Sequence, residues 1–326
     1  MAVSNGLRQL IQFPYYMIEG VRYHLCDFLL TPKPRMIQFP VCDRCNARCI
    51  MCFRWKKETE NEISLEKIRQ VFSSPLFSKV EDVNVHGGEP TLRKDLAEIC
   101  RTIQDSCPKL KRLWISTNGF GPGRVEKRIR EILEILDLDQ LNSLEVNVSL
   151  DGIGATHDRI RGIKGGFEQS LETIQRLRHL TGDSRLKVSI GTVIQPLNLG
   201  EIDEIEKLAE GLGVSVLFQP LAFDEFFNIQ DKQKLSFSEE EREKFKDLIE
   251  KKLARGFMTK NFYWSDLLSM MNGAKRKSPC AFDRYVLSLY PTGEILPCSQ
   301  RDWTVFGSVY NQPADKIWYG QKAKEV

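Results

Sequence analysis

The alternation of short β-type runs with helical patterns is the feature that most restricts how this chain folds. Strands and helices alternating along one chain predict an α/β fold with a parallel sheet. Because crossovers between parallel strands are right-handed, the sheet is either open and doubly wound or a barrel. The predicted strands span residues 36–41, 82–86, 112–117, 144–150, 187–194 and 214–220.

Between and after these strands, apolar residues recur at spacings of three and four, which is typical of helices. Ser64 is the predicted N-cap of the first one. The predicted helices span residues 65–72, 93–107, 125–136, 170–180, 201–212 and 237–255. Residues 257–277 are expected to be irregular, residues 285–297 to form a β-hairpin, and residues 315–319 to begin a last helix.

Composition excludes several classes of protein. The 326 residues are 41% hydrophobic and 28% charged, with a net charge of +3, so the chain is globular rather than disordered. The sequence pI of about 8.3 predicts no nucleic-acid partner. No window approaches the roughly 20 apolar residues of a membrane-spanning helix. Nine cysteines, an odd number without a secretory signal, argue against a disulfide scaffold and predict a reducing, cytoplasmic location.

Residues 1–35 precede the first predicted strand and are interpreted separately. Their apolar residues, which include Leu7, Leu10, Ile11 and Ile18, can form one face of an amphipathic helix. Such a helix lies either on a membrane or partner surface or against the rest of the fold. Pro14 would kink it, and packing against the fold is the favoured interpretation.

Four thiols in eleven residues form the densest chemical site: Cys42, Cys45, Cys49 and Cys52. They directly follow the first strand, where a parallel α/β fold places its functional loops. Cysteines this close bind zinc or an iron–sulfur cluster. A structural zinc site would draw ligands from two distant places, whereas these four are local. A cubane held by Cys45, Cys49 and Cys52 would leave one iron open for chemistry and Cys42 spare.

The spacing of Cys45, Cys49 and Cys52, with the aromatic Phe53 after them, resembles the radical S-adenosylmethionine (SAM) superfamily. The sequence His86-Gly87-Gly88-Glu89-Pro90 follows at the distance seen in that superfamily. The resemblance implies a partial (β/α)6 TIM-like barrel with a small C-terminal β-hairpin/helix extension. It also implies a [4Fe-4S] cluster, SAM, and an electron donor such as flavodoxin or ferredoxin.

The resemblance further assigns site residues. The three cysteines are the metal ligands, and the backbone after the second strand binds the SAM amino group, because two glycines let a ligand approach closely. Ser149 would bind the ribose, Arg161 the carboxylate, and Thr192 and Val193 the adenine. The full predicted cofactor set is Phe53, Gly87, Gly88, Glu89, Pro90, Asn118, Ser149, Asp151, Arg161, Thr192 and Val193. For Asp151, ordinary turn capping is an equal alternative, and His157 is expected to cap its turn.

The C-terminal segment carries a possible second metal site. Cys280 and Cys298 resemble the opening of the SPASM and twitch extensions of one radical SAM subgroup. Relatives add further cysteines that complete auxiliary clusters, but none follows Cys298 here. We therefore expect no stable second cluster, since two thiols are too few; Cys26, Asp283 and Asp302 are weak additional candidates. The predicted domains are residues 1–35, the barrel 36–235, a helical linker 236–277 and the extension 278–326.

The function expected from these features is reductive cleavage of SAM and hydrogen abstraction from a small-molecule, sugar or peptide substrate. The first 35 residues are too short for a winged-helix leader-binding domain, which favours a small molecule. A peptide-maturing enzyme with a separate leader-binding partner is the alternative. A non-catalytic iron–sulfur sensor or scaffold is a third possibility, but a sensor has no use for a SAM pocket. Membrane association through residues 1–35 is not expected.

Overall fold

We analysed a computed structural model of the chain. It describes residues 32–57, 62–182, 185–222, 235–255, 258–276, 285–298 and 305–325. The first 31 residues, Cys26, Cys280, Asp283 and Asp302 lie outside the described residues. No helix in the described ranges is long and apolar enough to cross a membrane.

The described strands form one sheet in the order β6-β5-β4-β3-β2-β1-β7-β8-β9. Strands β1 to β6 pair in parallel and follow chain order. In a doubly wound sheet the order of the strands reverses part-way across the sheet, whereas here it runs continuously from β1 to β6. This order therefore confirms the partial barrel. The strands are β1 Met36–Cys42, β2 Asp82–Gly87, β3 Arg112–Thr117, β4 Ser143–Ser149, β5 Leu186–Ile194, β6 Ser215–Pro220, β7 Val286–Leu289, β8 Glu294–Leu296 and β9 Gly307–Ser308.

The helices cover the outer face of the sheet. Ser64 accepts a hydrogen bond from the Lys67 amide, which confirms it as the N-cap of the first helix. The helices are α1 Leu65–Phe72, α2 Leu96–Ser106, α3 Pro122–Ile135, α4 Ala155–Arg161, α5 Gly166–Arg178, α6 Ile202–Leu212, α7 Glu239–Arg255, α8 Met258–Met271, α9 Ala314–Trp318 and α10 Gln321–Lys324.

The hydrophobic core lies between this outer face and the helices. Alternate residues of the strands, such as Ile37, Val85, Leu113 and Ile190, are completely buried there. The residues between them face the inside of the incomplete barrel. Each central strand therefore has an apolar outer side and a mostly polar inner side, which leaves the interior open to a ligand.

The expectation that residues 257–277 are irregular was wrong. The structure has α8 at Met258–Met271, packed against α7. Its apolar residues are spread around the whole helix, so they leave no spacing of three and four to recognise. The preceding helix, α7, was predicted correctly. Its residues Phe245, Leu248 and Ile249 are buried on one face, so their spacing in the sequence is that of a helix.

The C-terminal hairpin extends the sheet beside β1 instead of lying across the barrel mouth. β7 runs parallel to β1, with Val286 beside Met36 and Ser288 beside Gln38. β8 and β9 then continue the sheet in antiparallel fashion. The hairpin thereby supplies β1 with a second neighbour and covers an edge that would otherwise expose unpaired backbone groups.

Candidate functional site

The three predicted ligand cysteines lie in the loop that follows β1. Cys45, Cys49 and Cys52 line one cavity of about 370 Å³ at the carboxyl ends of the strands. Ser149 and Arg161 line the same cavity, and so do other predicted residues. The remaining predicted lining residues are Gly87, Gly88, Asn118, Thr192 and Val193. A volume of this size is within the range of small-molecule sites.

The loop that carries the cysteines is held from both sides. Glu62 accepts hydrogen bonds from the Asp43 and Arg44 amides at 2.9 and 3.2 Å. On the other side, the Arg48 amide donates to the carbonyl of Arg161 at 2.9 Å. These contacts fix the loop at its start and its middle, so the three thiols are positioned by the backbone around them.

The fourth thiol of the motif does not face the cavity. Cys42 is completely buried at the end of β1, and its Sγ–H donates to the carbonyl of Glu89 at 3.3 Å. Burial raises the pKa of Cys42 to about 12. Cys42 is thus spare, as predicted, and it packs at the end of the strand.

The donor set of the other three cysteines fits an iron–sulfur cluster better than a single ion. Among the described residues, no three His, Cys, Asp or Glu side chains are arranged to hold one metal ion. In a cubane each thiolate binds a different iron atom, so its ligands stand further apart. Burial raises the pKa of Cys45 to about 11 and that of Cys52 to about 12. Metal binding would therefore displace protons from these thiols.

The two glycines at the carboxyl end of β2 are required by the protein backbone itself. A Cβ on Gly87 would lie 2.3 Å from the Cys42 carbonyl oxygen, and one on Gly88 would lie 2.2 Å from that of Arg44. The Gly88 amide donates to the Cys42 carbonyl at 2.7 Å. We expected these glycines to admit a ligand, but their first role is to let this turn pack directly on the cysteine loop.

Glu89 orders the same region from inside. Its carboxylate is completely buried and accepts hydrogen bonds from both the amide and the hydroxyl of Thr91, from the Thr117 hydroxyl and from the Asn118 amide. Because its oxygens are used in this way, Glu89 joins the ends of β2 and β3 and does not line the cavity. Pro90 begins the short 3-10 turn that follows.

Asp151 connects two predicted SAM contacts. Its Oδ1 accepts from the Val193 amide at 2.8 Å, and its Oδ2 lies 2.5 Å from Nε of Arg161. Arg161 also approaches the Cys49 sulfur at 3.8 Å. The side chain of Asp151 is completely buried, so it positions these groups without lining the cavity. The Thr192 hydroxyl donates to the Leu150 carbonyl at 2.7 Å.

Two other predictions can be located. Phe53 stacks on Trp55 with 6.0 Å between ring centroids and is not among the lining residues. His157 accepts a hydrogen bond from the Asp151 amide through Nδ1 at 3.0 Å, in agreement with the capping role expected for it. Burial, with the nearby charge of Arg161, lowers the pKa of His157 to about 4.

Cys298 is far from the other thiols. It follows β8, in which Leu296 pairs with Ser288 of β7, at the amino end of β1. The cysteine loop starts at the carboxyl end of β1, six residues or about 20 Å further along the strand. Cys298 therefore cannot join the first site, and the expectation that Cys280 and Cys298 hold no stable second cluster stays a prediction.

Sequence reasoning missed several lining residues. Arg54 is almost completely buried, pairs with Asp43 and lies over the Tyr290 ring. Burial and the charge of Arg54 lower the pKa of His86, another lining residue, to about 3. Four polar residues of the inner sheet face, Gln38, Asn84, Ser116 and Asn147, also line the cavity. The alternation of apolar and polar residues along the strands was the signal that could have found these four.

The comparison with known families decides the classification. The profile of the radical SAM superfamily matches residues 39–209, just over half of the chain. This chain belongs to the radical SAM superfamily. The match covers the end of β1, the cysteine loop and strands β2 to β5, which supply most of the residues that line the cavity.

Individual relatives differ in what they share with this chain. Fe-coproporphyrin III synthase of Methanosarcina barkeri (strain Fusaro / DSM 804) is 34% identical over 197 residues, which are 57% of this chain and 43% of the synthase. The subtilosin biosynthesis protein AlbA of Bacillus subtilis (strain 168) is 24% identical over 303 residues, 89% of this chain and 62% of AlbA. The chain thus spans less than two thirds of either relative.

Among solved structures, Streptococcus suis SuiB bound to S-adenosylmethionine superimposes with a TM-score of 0.66 over 94% of this chain and 71% of SuiB, at 15% identity. This similarity confirms the predicted fold. The superfamily match confirms the predicted radical SAM enzyme, and the similarity to AlbA extends over 89% of the chain, beyond the matched residues 39–209. Members of the superfamily use a [4Fe-4S] cluster and SAM, which are the predicted cofactors. The sensor alternative is not supported, because the relatives are enzymes.

Proposed function

We propose that this chain binds a [4Fe-4S] cluster through Cys45, Cys49 and Cys52 and abstracts hydrogen from a peptide substrate. One observation carries the proposal. The three thiols line a single cavity together with the backbone of Gly87 and Gly88 and the side chain of Arg161. A purely structural metal site has no need of such a cavity.

The cofactors carry the difficult chemistry. Held by Cys45, Cys49 and Cys52, the cluster would supply the electron for reductive cleavage of SAM to methionine, and the 5′-deoxyadenosyl group so released would supply hydrogen abstraction from the substrate. The protein binds and orients the reactants and excludes water. Its lining residues come from the loops and strands at one end of the barrel, as in other parallel barrels.

Each of the four parts of SAM has a predicted group in the cavity that suits it. Carbonyl oxygens of the Gly87–Gly88 turn suit the ammonium, and the Ser149 hydroxyl suits a ribose. Arg161 suits the carboxylate, because its Nε is held by Asp151 and another part of its planar guanidinium can bind a second anion. Asp151 acts as a positioning residue for Arg161 and for the Val193 backbone, beside which we place the adenine.

The similarity to AlbA favours a peptide over a small molecule. That match extends over 89% of this chain, whereas the match to the porphyrin-related synthase covers 57%. SuiB has also been solved with its precursor peptide SuiA, and it superimposes on 94% of this chain at a TM-score of 0.65. The small molecule or sugar that we expected from the sequence is therefore the second choice. A flavodoxin or ferredoxin as electron donor, and a cytoplasmic location, remain predictions.

Arg161→Gln tests the proposal, with Arg159→Gln on the exposed side of the same helix as its control. Anaerobically reconstituted wild-type protein, reduced with dithionite, should release 5′-deoxyadenosine from SAM. Arg161→Gln should retain its iron but raise the KM for SAM roughly 10- to 100-fold, the loss expected for one charged hydrogen-bonded contact. Arg159→Gln should behave as wild type.

Two outcomes would contradict these assignments. A wild-type KM for SAM in Arg161→Gln would remove Arg161 from the site. Absence of 5′-deoxyadenosine from iron-loaded wild-type protein, under every reducing condition tried, would overturn the proposed function itself.

A further inference from the structure

Four uncharged polar side chains cross the inner face of the sheet beneath the cysteine loop. Gln38, Asn84, Ser116 and Asn147 come from β1, β2, β3 and β4, and all four line the cavity. We call them the inner polar stripe. In a closed barrel the equivalent inward positions are filled by bulky branched residues that pack against one another. Here the branched residues are on the outer face, and amides and hydroxyls face the interior.

Hydrogen bonds fix the orientation of the stripe. Nδ2 of Asn84 donates to Oε1 of Gln38 at 3.1 Å, and the Ser116 hydroxyl donates to Oδ1 of Asn84 at 3.2 Å. Nδ2 of Asn147 donates to the Ser189 hydroxyl at 2.8 Å. Each amide has two donor hydrogens and an oxygen with two lone pairs. These contacts use only part of that capacity, so the stripe offers fixed donors and acceptors to a ligand.

Charge restricts the ligand. The cavity-lining arginines of the described residues are already paired, Arg161 with Asp151 and Arg54 with Asp43. The stripe itself carries no charge. A substrate with several carboxylates would find no dedicated cation beside the stripe, whereas neutral groups that both donate and accept hydrogen bonds would match it.

Length restricts the ligand further. Neighbouring strands are about 4.8 Å apart, so four side chains on four adjacent strands extend over roughly 14 Å. An extended peptide rises about 3.4 Å per residue, and about four residues cover the same distance. A single sugar ring is much shorter and would reach only part of the stripe.

We propose that the inner polar stripe binds the backbone amides of a short extended segment of the substrate. The inference rests on the proposed function and deepens it, because it names the residues that select a peptide. The stripe holds the segment across the strands, beneath the three thiols and Arg161. Its residues are specificity-determining residues, since they contact substrate backbone and take no part in bond cleavage.

The test measures binding of an uncharged probe to SAM-loaded, unreduced enzyme. Acetyl-tetraalanine methylamide presents backbone amides without charges, and myo-inositol presents hydroxyls of similar polarity. Affinities are obtained from saturation-transfer NMR titrations of the wild type and of Asn84→Leu and Asn147→Leu. Asn142→Leu, at an exposed position just before β4, is the matched control. Asn84→Asp, which keeps the shape and removes the donor, serves if the leucine variants lose their iron.

The peptide probe should bind the wild type and Asn142→Leu equally and bind the stripe variants at least tenfold more weakly. No binding to the wild type, or equal binding to the stripe variants, would overturn the inference. Stripe-dependent binding of inositol alone would assign the stripe to a hydroxyl-rich small molecule and would also overturn it. Release of 5′-deoxyadenosine by the wild type is measured in parallel. If that release occurs without stripe-dependent binding, only this inference fails; if it never occurs, the proposed function fails.

Discussion

Replacing Gly88 by alanine should damage the cysteine loop itself. The new Cβ would lie 2.2 Å from the Arg44 carbonyl oxygen and 2.4 Å from that of Asp43. Both are backbone atoms, so neither can rotate away as a side chain would. The turn must move, which strains or breaks the bond from the Gly88 amide to Cys42 at 2.7 Å and that from the Glu89 amide to Arg44 at 2.8 Å.

The magnitude follows from these contacts. Overpacking typically costs about 1–3 kcal/mol, and each of the two hydrogen bonds contributes about 1 kcal/mol. We therefore expect Gly88→Ala to lower the free energy of unfolding by roughly 3–5 kcal/mol. Gly123→Ala is the control, because no atom lies within 4 Å of its added Cβ. In the first turn of α3, alanine there should be neutral or stabilising by up to about 1 kcal/mol.

Urea unfolding of both variants gives the free energies, and iron per chain after reconstitution shows whether the loop still holds the cluster. We expect Gly88→Ala to lose both stability and iron. A Gly88→Ala protein with wild-type stability and full iron, but without 5′-deoxyadenosine formation, would refute this reasoning. It would show that the glycine admits the ligand, as the sequence first suggested.

Cys42→Ala should keep its iron, because the Cys42 thiol is buried outside the cavity, whereas Cys49→Ala should lose its iron. A Cys42→Ala protein without iron would contradict the ligand assignment. Glu89→Gln should lower the free energy of unfolding by at least about 2 kcal/mol, since a new NH₂ group would face groups that already donate to that carboxylate. The exposed Glu98→Gln serves as its control in urea titrations, and equal stabilities would refute the role of Glu89. Burial lowers the pKa of His157 in the folded protein to about 4, whereas a histidine in the unfolded chain has a pKa of about 6.5. Between these two pH values the unfolded chain therefore binds more protons at this residue than the folded protein does. Stability should therefore decrease by up to about 3 kcal/mol between pH 6.5 and 4, and less so in His157→Gln; identical pH profiles would exclude His157 as a cause.

Local patterns in the sequence were sufficient to place the parallel strands and the loop with the three cysteines, whereas the order of the strands in a partial barrel was implied only by the family resemblance. The local patterns are alternating residues in strands, and cysteines separated by two or three residues. The register of β1 with β2 then follows from burying Ile37, Phe39 and Val85 on one side of the sheet. Patterns of this kind predict elements well because the same residues that form an element also bury it.

Other features depend on contacts between distant segments, and no local pattern predicts them. Gly88 looks like a ligand-binding glycine until the Arg44 carbonyl is found against it. Glu89 looks free to bind an ammonium until Thr117, at the end of β3, and Asn118, which follows it, are found donating to it. In both cases the partner lies at least 28 residues away along the chain, so only the folded structure shows how the group is used.

The C-terminal hairpin shows how one extension supports the site without lining it. Its β7 strand pairs with β1, which leads directly into the cysteine loop. Just past β7, the Pro291 carbonyl accepts from the Ile63 amide at 2.6 Å, and the Tyr290 ring lies against Arg54. Arg54 pairs in turn with Asp43 at the start of the loop. The hairpin therefore stabilises the loop from behind, a role that depends on its backbone and on Tyr290 and is independent of any second cluster at Cys298.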